Sequence, residues 1–331
     1  MFKITPIGSC RIYGPLREYG EKLGFKLNAN RVLGLMHSSA EAVQQMHAFT
    51  GEFSCEDALW PLIARGKEFD HFQAQVHEKS DLYIVELSSA KVIEIDDTVL
   101  QLNYLNTHYS DFFSDSKRAV AFTQNCMKDD PVAVAAFLDE VWSSTPEQRE
   151  DAEVLRRIKI YMSTEQTIYE DICKLQEGLG NVMIMTHVNA KKEDSAPLLS
   201  REKYINQVIA AASRAGVMLY NPTDLMDIVG QQNAIEDHST AFAHFTGAFN
   251  GGIFFDWLDN TLLPMIDAAI QGAPEEGTQE YLLPIVDGMI ENAPAEQLNK
   301  LADFLGSLVS KHPELESFAQ LKQRVSAAIE A

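Results

Sequence analysis

Five short apolar runs separated by helical patterns constrain this chain more than any other feature. The runs are "FKITPIG" (2–8), "KLNANRVL" (26–33), "DLYIVEL" (81–87), "NVMIMTHV" (181–188) and "VMLYNP" (217–222). The third and fourth are mostly apolar and rich in β-branched or aromatic residues, the pattern of strands buried on both faces. Strands alternating with helices predict a parallel sheet with helices on both sides. An α/β domain with five parallel strands is therefore expected over residues 1–260.

Local signals place the helix ends. Ser38 and Glu41 in "SSAE" fit a capping box that opens "AEAVQQMHAF". Thr145, Pro146 and Gln148 combine a cap, a first-turn proline and a box residue. Gly216 is a suitable helix stop just before the fifth strand. More than 90 residues separate the third and fourth runs. This span reads as a helical insertion at about 110–178, with one long charged helix over about 145–177. Such a helix suits a lid or a dimer arm, so a homodimer is expected. From residue 261 to 331 there is no strand signal. "GAPEEG", "NAPAEQL" and "KHPELES" each look like a loop before a new helix, which predicts a helical C-terminal appendage.

Composition narrows the function classes. A hydrophobic content of 46% over 331 residues can bury a sizeable core. A formal net charge of -21 disfavours nucleic acid and anionic membrane surfaces as partners. Cys10, Cys55, Cys126 and Cys173 form no C-x-x-C pair and suit no zinc site, so free thiols are expected. Neither a signal peptide nor an apolar run approaching the ~20 residues of a membrane span is visible. A soluble, cytoplasmic protein is the expectation. Dinucleotide binding is set aside, because no G-x-G-x-x-G follows the first strand.

Chemistry concentrates at the first turn. Ligands of an open parallel sheet bind beyond the carboxyl ends of its strands, and "GSC" (8–10) follows the first strand directly. Ser9 and Cys10 are therefore candidate nucleophiles. Pro15 is expected to start the next helix, with Leu16, Tyr19 and Leu23 facing inward. A thiolate attacks acyl carbon well. The plainer alternative is that Cys10 is a small buried hydrophobe in a tight turn.

"IGSCRIYG" resembles the first block of the SGNH (GDSL-type) hydrolase superfamily, I-G-D-S-x-x-x-G. Ser9 then falls on its Asp position and Cys10 on its nucleophile position. The stretch also resembles the "GSC" start of GSCFA-type proteins and of acyltransferase-like proteins of capsular-polysaccharide synthesis. The resemblance implies a three-layer, flavodoxin-like sheet of five parallel strands. It implies acyl transfer or ester hydrolysis on a hydroxyl-bearing substrate such as a carbohydrate. No permanently bound cofactor is implied; acetyl-CoA or another acyl-CoA is the expected donor. The family's base is a late histidine, and "NAIEDHSTAFAHFTGAF" (233–249) holds His238 and His244. "HFT" resembles the family's H-(Y/F)-(S/T) ending, which favours His244. The D-x-x-H spacing is not met; Asp237 is the nearest acid, so a Cys–His dyad is the simpler form. Alternatively, His244 is a helix residue beside the aromatic stripe of Phe242, Phe245 and Phe249.

The remaining strand ends supply further candidates. His37, Ser38 and Ser39 follow the second strand, where Ser38 or Ser39 equally suits simple capping. Ser88 and Ser89 stand where the resemblance would put an oxyanion-binding asparagine, and Lys91 is a candidate for an anionic part of the substrate. His187 and Asn189 are candidate substrate contacts, and Arg201 is either a contact or a surface ion pair. A metal site drawn from His37, His187, His238, His244, Glu86 and Asp237 has no H-x-H or H-E-x-x-H spacing behind it, so no metal is expected. A non-catalytic binding or scaffold module for a glycan or partner protein is the alternative from a different class.

Overall fold

Side-chain alternation in the apolar runs builds the sheet. The computed structural model describes residues 1–330 apart from 65, 67, 193–197, 237–241 and 243. Its strands are β1 (Lys3–Ile7), β2 (Lys26–Leu27), β3 (Leu82–Leu87), β4 (Lys91–Ile95), β5 (Thr98–Val99), β6 (Lys159–Met162), β7 (Val182–Thr186) and β8 (Met218–Tyr220). Five of them form one parallel sheet in the order β2-β1-β3-β7-β8. Pro6 lies beside Ile84, and Val85 beside Ile184.

Alternate residues enter different cores. Ile84, Met183 and Met185 face one side, where they meet Ile12, Leu16 and Phe254. Val85, Leu87 and Ile184 face the other, against Ile172 and Leu175 of helix Glu165–Leu179 and Val208 of helix Leu199–Ala215. The result is a three-layer α/β fold. In sheet-strand terms its order is 2-1-3-4-5, so the topological switch point lies between β1 and β3.

The expected caps are present. Ser38 and Glu41 form a reciprocal capping box on helix Ser39–Thr50. Thr145 and Gln148 do the same on helix Pro146–Leu155. Gly216 ends its helix in the left-handed region, with φ 67°.

Three expectations are corrected. First, residues 145–177 are not one helix. Helix Pro146–Leu155 ends, β6 crosses, and helix Glu165–Leu179 follows as the crossover between β3 and β7. The long arm that suggested a homodimer is therefore absent. β6 pairs antiparallel with β4, which pairs with β5, giving a second sheet in the span between β3 and β7 that begins ahead of the expected insertion. Asp96 and Asp97 turn the β4–β5 hairpin with φ 46° and 65°, the backbone of a two-residue primed turn. Ile93, Ile95 and Ile160 of this sheet join Phe112, Phe122 and Trp142 in a core of their own.

Second, the second strand stops at Leu27, and residues 28–38 form a loop that passes over the end of β1. The Met36 amide donates to the Gly8 carbonyl at 3.2 Å. Third, the first helix, α1 (Cys10–Pro15), starts at Cys10 rather than at Pro15. Pro15 lies at its end and has no N–H to continue the ladder; a π-helical turn, Leu16–Gly20, follows. Leu16 and Leu23 are buried and Tyr19 half-buried.

The C-terminal helices share a core with the sheet. Leu282, Ile285, Leu305 and Phe318 belong to the same cluster as Phe2 and Ile4. The Tyr281 ring stands edge-on to Phe2, 5.9 Å away. No helix among the described residues is long and apolar enough to cross a membrane.

Candidate functional site

The turn after β1 splits its two nucleophiles. Ser9 caps α1: its hydroxyl accepts from the Arg11 amide at 3.3 Å. That hydroxyl also donates to Glu86 Oε2 at 2.6 Å, and the Ser9 amide donates to the same oxygen at 2.8 Å. Ser9 is buried, whereas Cys10 is exposed. The thiol sits in the first turn of α1, at the switch point of the sheet.

A buried polar network underlies this turn. Arg11 grips Glu86 through Nε and Nη2, both directed at Oε1, an ion pair with both side chains buried. Arg11 Nη1 also donates to His187 Nε2 at 3.1 Å. The other ring nitrogen, Nδ1, is 2.9 Å from the Val188 carbonyl and must donate to it, so Nε2 is bare and His187 is neutral. Burial, then the charges of Arg11 and Arg201, hold its imidazole well below the ordinary histidine range. Gly8 is required beside this network. A Cβ there would lie 2.6 Å from Glu86 Cβ.

His244 reaches Cys10 from far along the chain. Cys10 Sγ and His244 Nδ1 are 3.7 Å apart. His244 is exposed and lies just before helix Gly247–Trp257, not within it. Local structure explains the position. Ile235 and Phe245 form an antiparallel bridge, the Glu236 amide donates to the His244 carbonyl at 3.0 Å, and the buried Phe245 ring anchors the segment. Thr246 then caps the helix, accepting from the Phe249 amide at 3.2 Å. Arg201 is half-buried, and its Nη1 donates to the Phe242 carbonyl at 3.1 Å on the same segment. Burial, aided by Arg11, lowers the Arg201 pKa to about 10. Asp237 and His238 lie outside the described residues.

The other candidates have structural partners. Ser38 and Glu41 close the capping box, and the Ser39 hydroxyl donates to Asp171 at 2.8 Å. His37 Nδ1 is 3.0 Å from the Ser88 hydroxyl, while the His37 carbonyl accepts from the Ser88 and Ser89 amides. Burial holds the His37 imidazole below its usual value. The Ser89 hydroxyl accepts from the Lys91 amide at 3.0 Å, and Lys91 begins β4. The Asn189 backbone N–H donates to Thr223 Oγ1 at 2.9 Å, whereas its side-chain Oδ1 is buried with no hydrogen-bond partner among the described residues. Ser88, Ser89 and Lys91 thus brace the loop after β3. Among the described residues, no group of three His, Cys, Asp or Glu side chains is arranged to hold a metal ion.

Cys10 opens onto a cavity of about 360 Å³, lined also by Tyr13, Arg17, Val32, Gly34 and Leu35. Tyr104, from helix Leu102–His108, closes one wall. Its hydroxyl accepts from the Leu35 amide at 2.9 Å and lies against Gly34, whose φ of 148° and close approach leave no room for a Cβ. Burial pushes the Tyr13 phenol up to about 12, so it stays protonated near neutral pH. Sequence reasoning missed Arg11, Arg17 and Tyr104 in this setting and considered Glu86 only as a metal ligand. Glu86 had a readable signal: it is the one charge in a six-residue strand that is buried throughout.

The sequence matches the TviD N-terminal domain family over residues 2–260. The chain belongs to this family. The matched TviD N-terminal region contains the parallel sheet, the insertion, Cys10 and His244, and ends before most of the C-terminal helices. The Vi polysaccharide biosynthesis protein TviD of Salmonella typhi is 32% identical over 255 residues, covering 76% of this chain. The chain spans 31% of that relative's length. No solved structure matches.

Proposed function

We propose that this TviD N-terminal domain chain transfers an acyl group to a hydroxyl-bearing acceptor, with Cys10 as nucleophile and His244 as base. The observation that carries the reading is the 3.7 Å approach of the Cys10 thiol to His244 Nδ1 on an exposed rim. The sheet's switch point is where such folds bind ligands. The polysaccharide-biosynthesis role in the name of the Salmonella relative favours a carbohydrate acceptor. The SGNH-like first turn and the 2-1-3-4-5 strand order support the same reaction class.

In this reading His244 takes the thiol proton as Sγ attacks the acyl carbonyl of a thioester donor such as acetyl-CoA. The tetrahedral oxyanion accepts from the Cys10 amide, for which no hydrogen-bond partner occurs among the described residues. The donor thiolate leaves with the proton from His244, and the acyl group remains on sulfur. His244 then deprotonates the acceptor hydroxyl, which attacks the acyl-enzyme and releases Cys10. Ester hydrolysis is the same sequence with water as acceptor. Ser9 is the weaker nucleophile because its hydroxyl already donates to Glu86.

Intact mass spectrometry after incubation with acetyl-CoA tests the proposal. An acetyl adduct on Cys10, absent from Cys10→Ala, is expected. Acetyl transfer that persists in Cys10→Ala would overturn it.

A further inference from the structure

We infer that Arg17 selects substrates carrying an oxyanion, a carboxylate or phosphate, close to the acyl group presented to Cys10. The inference deepens the acyl-transfer reading and rests on it for the identity of the reacting group.

Cys10, Tyr13 and Arg17 recur at helical spacing, so they share one face of the segment and line one cavity. The Arg17 guanidinium lies over the Tyr13 ring, 5.2 Å from its centroid. It therefore leans back along the helix toward Cys10, the direction long helical side chains favour. Arg17 is the only charged side chain among the described residues lining this cavity; the remaining walls are apolar, aromatic or glycine.

The guanidinium is also uncommitted. Every other described arginine donates a hydrogen bond or joins an ion pair. Arg17 does neither among the described residues; its contact is the Tyr13 ring. Carboxylates outnumber basic side chains by 48 to 27 in this chain, so an unpaired arginine is not explained by a shortage of partners. Its planar fork of donors matches a carboxylate or phosphate. Stacking on Tyr13 holds the fork in place without using those donors. Lys91, the cation that sequence alone favoured for this task, lines no part of the cavity.

The oxyanion has two chemical sources: the phosphates of an acyl-CoA donor, or the carboxylate of an acidic sugar acceptor. Charge-matched alkylation tests the inference without requiring turnover. The full chain is treated with iodoacetate or neutral iodoacetamide, and Cys10 modification is timed by peptide mass spectrometry. In Arg17→Gln, the iodoacetate rate at Cys10 is expected to fall about fivefold, the scale of an exposed charge pair. The iodoacetamide rate and thermal midpoint should stay unchanged. Arg17→Lys should retain part of the selectivity, and added salt should erase it in the wild type.

Arg17-dependent protection of Cys10 by coenzyme A would assign the oxyanion to the donor. Protection by glucuronate but not glucose would assign it to the acceptor. An iodoacetate-to-iodoacetamide ratio unchanged in Arg17→Gln would overturn the inference, even if Cys10 transfers acetyl groups. Arg17-dependent selectivity without an acetyl adduct would instead remove the acyl-transfer reading and leave an anion-binding cavity.

Discussion

Ser9 and Glu86 are joined twice: the amide and the hydroxyl of Ser9 both donate to Glu86 Oε2, at 2.8 and 2.6 Å. The first holds the backbone of the turn and the second withdraws the hydroxyl from the surface. What remains outward is the neighbouring thiol.

Glu86→Gln should destabilise the fold strongly. It leaves the Arg11 guanidinium buried beside a neutral group, and breaking a buried pair on one side costs about 3–5 kcal/mol. A urea titration should show a lower midpoint. The double variant Arg11→Met, Glu86→Gln should recover part of the loss, because no unpaired charge is left behind. A fully additive double variant would argue that the pair is not coupled.

Cys10→Ala and His244→Ala should separate chemistry from stability. Both side chains are exposed, so thermal midpoints should change little, within about 0.5 kcal/mol of stability. Acetyl transfer should vanish in the first and fall by roughly 10²–10⁴ in the second. Thr246→Ala removes the cap beside His244 and should cost about 1 kcal/mol, with a smaller loss of rate.

The two glycines of "GSCRIYG" should differ in tolerance. Gly8→Ala drives a Cβ to 2.6 Å from Glu86 Cβ inside the network, and a loss of about 1–3 kcal/mol is expected by denaturant titration. Gly14→Ala meets the Asn250 amide at 2.8 Å. That partner can be trimmed, so adding Asn250→Ala should relieve the clash, whereas no such rescue is open to Gly8→Ala.

Two buried groups push pH dependence in opposite directions. Burial lifts the Glu41 carboxyl from 4.5 to about 7, against the pull of its hydrogen bonds from Ser38 and His37. The folded state then holds a proton that the unfolded chain has lost. Glu41 therefore favours folding most at low pH, and this contribution fades between about 4.5 and 7, on the order of 3 kcal/mol. His187 acts oppositely. Its lowered pKa gives a contribution that is complete above 6.5 and is lost as pH falls toward the folded value. Glu41→Gln should remove the first trend, so stability should rise more steeply with pH up to 6.5. An unchanged stability–pH curve in that variant would refute this assignment.

Much of the fold was readable because its signals are local. The five strands announced themselves by apolar runs, and the Ser38 and Thr145 boxes by residues three apart. The small antiparallel sheet was not. "KVIEI" and "KIYM" alternate correctly, but the second lies beside the helix-favouring "EVLRRIK", where charge and propensity hide a four-residue strand. The Asp96–Asp97 turn was the available clue. In the site, Ser9 and Cys10 were conspicuous in sequence, but their different surroundings were not. Glu86 is 75 residues from Arg11, and His244 is 234 from Cys10. Such pairings are created by the crossing of β3 beside β1 and by the return of the chain after β8, and no spacing encodes them.

The family match ends at residue 260, yet Phe2 and Ile4 of the strand leading to Cys10 are kept dry partly by helices beyond that point. Any chain that carries the matched region without those helices has to roof the same oily wall with other material. The matched region is thus easier to transplant than its shelter.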